Sequence, residues 1–304
     1  MTSNIALVEK KELIEAIAAA LRLRVGLAVG KLGYSEQLVL LFSQAIRTKD
    51  SAIQRNVIPP LYLALKHHSE RQTGIFPTDI EFLTQYAAFY TEQVRRADFL
   101  GLFGSPNESK LVRDLPLSAK FLHYTDTEPD RSSPYEKTQC YLPYLRDKKV
   151  LLIAPFASFA KQRACKDIFE AVWKNIDCAW FKPQSIEAID IPYSFLGQER
   201  TFKAFGNSLA LYDHIVAKID ECDYDIALIA AGSLAIPLTV HVKNAQKVGI
   251  SLGGHFQALF GILGDRWIRD KVWADRYINQ AWVRLPERFI PENAVVLADN
   301  KAYW

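Results

Sequence analysis

The chain has 304 residues, 49% of them hydrophobic, enough to fill one large core or two smaller ones. Lysine and arginine (37) nearly balance aspartate and glutamate (34), leaving a formal net charge of +3, so nucleic acid is not an expected partner. No apolar run approaches the ~18 residues that span a bilayer. No basic start precedes an apolar leader, and Cys140, Cys165, Cys178 and Cys222 form neither a CxxC nor a zinc spacing with histidine. A cytoplasmic protein with reduced thiols is expected, with peripheral contact to the inner face of a membrane left open.

The first predicted element is a helix in "VEKKELIEAIAAALRLR", where Leu13, Ile14, Ile17 and Leu21 recur at helical spacing. "VGLAVG" reads as a short buried strand, followed by the glycine turn "KLGYSE" and the helical "QLVLLFSQAIR". "PTDIEFLTQYAAFYTEQVRRA" predicts a helix capped by Thr78 or Asp79 and running to about Ala97, and "DFLGLFG" a short strand after it. From about 104 to 145, Pro106, Pro116, Pro129, Pro134 and Pro143 predict short helices and loops. A divide is placed after them, giving an N-terminal α/β half (1–147) and a C-terminal α/β half (148–304).

"KKVLLIAPF" is the clearest buried strand in the chain. A single helix over "ASFAKQRACKDIFEAVW", a short strand "CAWFKP", the helix "SLALYDHIVAKIDEC", the strand "YDIALIAAG", the helix "LAIPLTVHVKNAQ" and the strand "KVGISLGG" follow. This alternation predicts an α/β fold, a Rossmann-like parallel sheet with helices on both faces. The segment from Arg266 to Trp304 holds four of the six tryptophans and reads either as an arm packed on the core or as an acceptor or partner surface.

In such a sheet, ligands sit outside the carboxyl ends of the strands, where strand order reverses. Five strand-end loops, "GKLGYSE", "GLFGS", "APFASFAKQ", "AAGSLAIP" and "LGGHFQ", are therefore expected to converge on one crevice. Gly232 and Ser233 fit a phosphate site at a helix N-terminus, or simply a tight turn. Gly253 and Gly254 leave room for a ligand to approach backbone ahead of His255 and Gln257, with Arg266 as a phosphate clamp or a surface charge. Phe156, Ser158, Lys161 and Gln162 follow the strongest strand, where a helix cap is the more frequent role for a serine such as Ser158 and Lys161 is either solvated or a neutraliser of diphosphate. Glu36 is the leading carboxylate, a base, a metal ligand or a partner for the helix dipole, beside Gly30, Gly33 and Tyr34. Asp98 is the second candidate. No GxGxxG, Walker A, HExxH or Ser-His-Asp spacing occurs, so a dinucleotide fold, a P-loop and the common hydrolases lack support.

The run "YDIALIAAGSLAIPLTVHVKNAQKVGISLGGHFQALFGILGDRW", together with "VGKLGYSE", "ADFLGLFG" and "LIAPFASFAKQ", resembles the GT-D-type glycosyltransferases of bacterial polysaccharide and glycoprotein assembly. The likeness covers most of residues 20–270 and is clearest over 223–267. It implies a Rossmann-type fold that takes a sugar from a nucleotide diphosphate sugar and passes it to a glycan or lipid-linked acceptor. The family's Arg-Phe-Gly-Asp-Gly-Glu turn corresponds to Lys31, Leu32, Gly33, Tyr34, Ser35 and Glu36. Glu36 carries over, but Tyr34 replaces the Asp implicated in holding magnesium or manganese. The resemblance therefore implies a divalent cation only in part, with Lys161, Arg266 or helix N-termini left to neutralise the diphosphate. Two other readings remain: a non-catalytic nucleotide- or sugar-binding module of an assembly complex, and a pyruvyl-type transferase.

Overall fold

The computed structural model describes residues 5–115, 117–128, 140–176 and 179–291. Pro116, Pro129, Pro134, Cys178 and Trp304 lie outside them. Helix α1 (Lys10–Leu23) buries Leu13, Ile14, Ile17 and Leu21, the stripe that its spacing predicts. β1 (Leu27–Leu32) is buried at every position and passes through Gly33 into α2 (Tyr34–Ile46). Two more helices follow. α3 (Ser51–Asn56) is capped by Asp50, whose carboxylate accepts from the Ala52 and Ile53 N–H groups. α4 (Ile58–His68) carries its prolines in the first turn, where no N–H is required. A π-helical turn, Ser69–Thr73, continues it.

α5 (Ile80–Arg95) is capped by Asp79 rather than Thr78, and β2 (Phe99–Leu102) lies close to its expected place. The proline-rich stretch contains α6 (Pro106–Asp114) and also a strand, β3 (Lys120–His123), where only helices and loops were expected. After β4 (Lys149–Ala154), the single helix expected over 157–173 is two, α7 (Ala157–Arg163) and α8 (Lys166–Val172). The break falls where Cys165 is extended and the buried Arg163 donates to the carbonyls of Phe260 and Ala281. "CAWFKP" is not a strand over its described residues. β5 (Ser185–Asp190) comes just after it, an edge strand whose partial exposure explains its weak apolar signal.

The remaining elements are α9 (Glu199–Phe205), α10 (Ser208–Asp220), β6 (Ile226–Ile229), α11 (Ala235–Asn244), β7 (Val248–Ser251) and α12 (His255–Leu259). A two-stranded sheet of β8 (Ile262–Leu263) and β9 (Val283–Arg284) frames α13 (Asp265–Arg269) and α14 (Lys271–Arg276).

Strands β1 to β7 form one all-parallel sheet in the order β3-β2-β1-β7-β6-β4-β5, a Rossmann-like α/β architecture. Strands from either side of residue 147 meet where β1 pairs with β7, Leu27 opposite Val248. Period-two alternation divides the core. Val150, Leu152, Ile226, Leu228, Val248 and Ile250 face one helical layer, while Leu151, Ile153, Ala227 and Ile229 face the other. β4 sends the chain outward to β5 while its neighbour β6 sends it inward to β7, so strand order reverses between them. Trp267, Trp273 and Trp282 pack with Trp173 and Tyr277 in the first layer, so the described part of the C-terminal segment is an arm on the core. Cys140, Cys165 and Cys222 are free thiols. Among the described residues no helix is long and apolar enough to cross a membrane.

Candidate functional site

A cavity of about 490 Å³ opens at the carboxyl ends of the sheet, a volume typical of small-molecule sites. The segment leaving each of the seven strands lines it: Glu36 after β1, Phe103 after β2, Glu128 after β3, Phe156 after β4, Tyr193 after β5, Gly232 after β6 and Gly254 after β7. Convergence of the loops follows from the parallel sheet, which brings every strand exit to one side.

Glu36 stands in the first turn of α2 with its carboxyl folded back over Gly33. A Cβ at Gly33 would lie 2.5 Å from Glu36 Oε2, so glycine is what makes the fold-back possible. Burial lifts the Glu36 carboxyl from its usual 4.5 to about 7, opposed by a hydrogen bond from its own backbone. The Tyr90 hydroxyl, also buried and on the cavity wall, has no hydrogen-bond partner among the described residues. Burial and the neighbouring Glu36 charge push it well above the ordinary phenol range. Tyr86, one helical turn earlier, donates to the Ser233 carbonyl at 3.0 Å.

The π turn supplies the adjoining wall through Gln72 and Thr73; π turns recur at functional sites. Ser35 Oγ donates to Gln72 Oε1 at 2.9 Å, and His68 Nδ1 lies 2.7 Å from the same oxygen. Tyr34, exposed at the rim, meets the His68 ring edge-on. Gly232, at φ +52°, lets the β6 loop lie against this turn, since a Cβ there would stand 2.7 Å from the Thr73 carbonyl oxygen.

The facing wall holds a buried charged group that the sequence reading missed. Lys31 Nζ is 3.1 Å from Glu128 Oε1 and donates to the Leu252 carbonyl at 3.2 Å, with the Tyr124 ring centroid at 4.8 Å. Glu128 Oε2 is 3.3 Å from His255 Nδ1, and Lys10 donates to the Glu128 carbonyl at 2.7 Å. All four residues are buried, and burial of charge is tolerated here because the charges are paired. Lys31 left one legible sign, a lysine inside the otherwise apolar "LAVGKL"; Glu128 left none. At the mouth, Phe103 stacks on Tyr124 with ring centroids 3.9 Å apart. The buried Glu108 fixes this loop by accepting from the N–H groups of Phe103, Gly104 and Ser105 and from Gln37.

Of the residues singled out in the sequence, Gly33, Tyr34, Glu36, Phe156, Gly232, Gly253, Gly254, His255, Gln257 and Arg266 line the cavity together. The others do not. Asp98 precedes β2 at the opposite, amino end of the sheet, where it pairs with Lys243 and accepts from the Ala28 N–H. Gly30 is a packing glycine inside β1, since a Cβ would meet Ile236 at 2.8 Å. Ser158 spends both its N–H and its hydroxyl on Asp190, at 2.7 and 2.5 Å. Lys161 and Gln162 are exposed on α7 away from the cavity. Ser233 is buried behind the wall.

No three His, Cys, Asp or Glu side chains cluster as metal ligands among the described residues. Of the two carboxylates lining the cavity, Glu128 is engaged by Lys31 and Glu36 is held toward its protonated form, a donor set that does not fit a protein-caged divalent cation. Comparison with known proteins finds no matching family model, curated protein or solved structure.

Proposed function

We propose that the protein is a GT-D-type glycosyltransferase that moves a sugar from a nucleotide diphosphate sugar to a hydroxyl of a glycan or lipid-linked acceptor in surface polysaccharide or glycoconjugate synthesis. The observation that supports this most is Glu36. The glutamate of the resembling turn lines the strand-end cavity, and burial holds its carboxyl near 7. A base with that affinity is matched to a neutral medium.

In the proposed step the acceptor oxygen attacks the anomeric carbon and Glu36 takes its proton. The bond to the diphosphate breaks, and the electron pair leaves with the nucleoside diphosphate. Arg266, on the cavity wall, supplies positive charge toward the developing phosphate charge, the term expected to contribute most. With Tyr34 in place of the family Asp, leaving-group stabilisation falls to this arginine in this proposal.

A thermal-shift screen against nucleoside diphosphates tests the reading, because a ligand that binds only the folded chain raises its melting temperature. A selective rise with one nucleotide, followed by slow release of that nucleotide from its sugar conjugates, is expected. Binding without release from any sugar donor would instead make the chain a binding module. No shift and no release across the panel would overturn the proposal.

A further inference from the structure

Helices α3 and α4 form a shoulder that the core scarcely covers: α3 buries no side chain and α4 only Leu65. Leu61, Tyr62 and Ala64 are partly covered, but Val57 (44% exposed), Pro59, Pro60 and Leu63 (63% exposed) face outward. Pro60 and Leu63 share one helical stripe with His67. Charge is equally uneven. Residues 47–71 contain five basic side chains (Arg47, Lys49, Arg55, Lys66, Arg71) and two acidic ones (Asp50, Glu70), a net +3 that equals the formal charge of the whole chain. Both acids are engaged: Asp50 caps α3, and Glu70 accepts from Thr78 and lies 3.9 Å from Lys66. Arg47, Lys49, Arg55 and Arg71 are exposed.

We infer that this shoulder docks onto an anionic lipid bilayer. Val57, Pro59, Pro60 and Leu63 enter the interface, and Arg47, Lys49, Arg55 and Lys66 rest among the headgroups. Apolar residues ringed by cations are what an interfacial segment needs, and each cation near such a surface adds to the attraction. Charge also favours lipid over a second copy of the chain, because two such shoulders would meet with like sign. α4 runs directly into the π turn, whose Gln72 and Thr73 line the cavity. The docking helix is thus continuous with one cavity wall, and a lipid-linked acceptor would link this inference to the proposed function.

The test is sedimentation of the full chain with vesicles of phosphatidylcholine alone and of phosphatidylcholine with about 30% phosphatidylglycerol. The wild type is expected to bind the anionic vesicles, bind the neutral ones weakly, and release in ~0.5 M salt. Val57→Glu with Leu63→Glu should weaken binding by about tenfold or more, as should Lys49→Glu with Arg55→Glu. These side chains are exposed, so the variants should stay folded, which circular dichroism checks. Leu23→Glu, equally exposed in α1 but outside the shoulder, should bind as wild type. Three outcomes would overturn the inference: no wild-type binding to anionic vesicles, undiminished binding by the Val57/Leu63 variant, or loss in that variant of a concentration-dependent dimer instead of vesicle binding. Docking requires nothing of the cavity's chemistry, so Glu36→Gln should bind vesicles normally, and the two proposals can fail separately.

Discussion

The two ends of the sheet treat their ionisable groups differently. At the amino ends every carboxylate discussed has a partner: Asp98 holds Lys243 at 2.6 Å and accepts from the Ala28 N–H, Asp225 accepts from the Lys149 N–H at 2.8 Å, and Asp223 pairs with the Lys149 ammonium. At the carboxyl ends, Glu36 has no counter-ion among the described residues, and Tyr90 Oη and Thr73 Oγ1 have no hydrogen-bond partner there. Leaving a buried polar group unpartnered destabilises the fold by about 1–3 kcal/mol. The carboxylates discussed at the amino end are thus paired, while around Glu36 the carboxyl end leaves buried polar groups without a protein partner among the described residues.

The largest expected effect breaks the comparison at Glu36. Glu36→Gln should lower sugar transfer by roughly 10²- to 10⁴-fold, the usual contribution of a general base. Wild-type turnover should rise with pH through about 7 as the carboxyl ionises. Stability should move the other way. The folded value, about 7, exceeds the ordinary 4.5, so between these the folded chain keeps a proton that the unfolded chain has released. Wild-type stability then falls as pH climbs from 4.5 to 7, by roughly 3 kcal/mol once the climb is complete. Melting curves should show Glu36→Gln gaining on wild type from pH 5 to pH 8. Unchanged turnover in the variant would remove Glu36 from the mechanism.

Next comes the wall itself. Gly232→Ala adds a Cβ 2.7 Å from the Thr73 carbonyl oxygen at a backbone with φ +52°. Gly206→Ala is the control, at φ +70° with nothing within 4 Å of its Cβ. Conformational strain alone is worth about 1 kcal/mol, so Gly206→Ala should lose about that much and Gly232→Ala about 2–3 kcal/mol. Equal losses by denaturant titration would show that the β6 loop does not need to sit against the π turn.

How much of this was legible in the sequence follows from how local each signal is. Buried strands announce themselves through unbroken apolar runs, so β4, β6 and β7 were readable, and with them the parallel sheet and the side on which the loops converge. β5 is an edge strand with a half-exposed face, and β3 pairs with β2 but meets only an isolated bridge to Leu7 on its other side, so neither carries such a run. The place of Glu36 on the cavity was legible because its glycine turn directly follows a readable strand. Lys31, Glu128 and His255 meet across 97 and 127 residues of chain, and nothing local in "YTDTE" marks Glu128 as buried. Asp98 was misread for a related reason: a carboxylate beside a strand looks the same at either end until strand direction is known.

Asp98 therefore sharpens the comparison from the paired end. Asp98→Asn keeps the shape and the Ala28 contact but removes the charge facing Lys243, in a pair about one-third exposed on each side. Ion pairs so placed contribute about 0.2–1 kcal/mol, less at high salt. The variant should lose that much stability at low ionic strength and transfer sugar at the wild-type rate. A large loss of turnover would mean that the two ends of the sheet are coupled.

The last contrast separates two tyrosines of one helix, Tyr86 and Tyr90, stacked with ring centroids 6.1 Å apart and both fully buried. They differ in one respect: Tyr86 donates to the Ser233 carbonyl, and Tyr90 donates to nothing among the described residues. Tyr86→Phe removes a made bond and leaves an acceptor stranded, so it should lose about 1 kcal/mol. Tyr90→Phe removes a hydroxyl already without a partner, so the free protein should be unchanged or slightly more stable. If the hydroxyl is kept for a substrate, the same variant should raise KM while leaving the free protein's melting temperature in place. A matched loss of stability in both variants would mean that Tyr90 finds a protein partner after all, and the contrast between the two ends of the sheet would then rest on Glu36 and Thr73 alone.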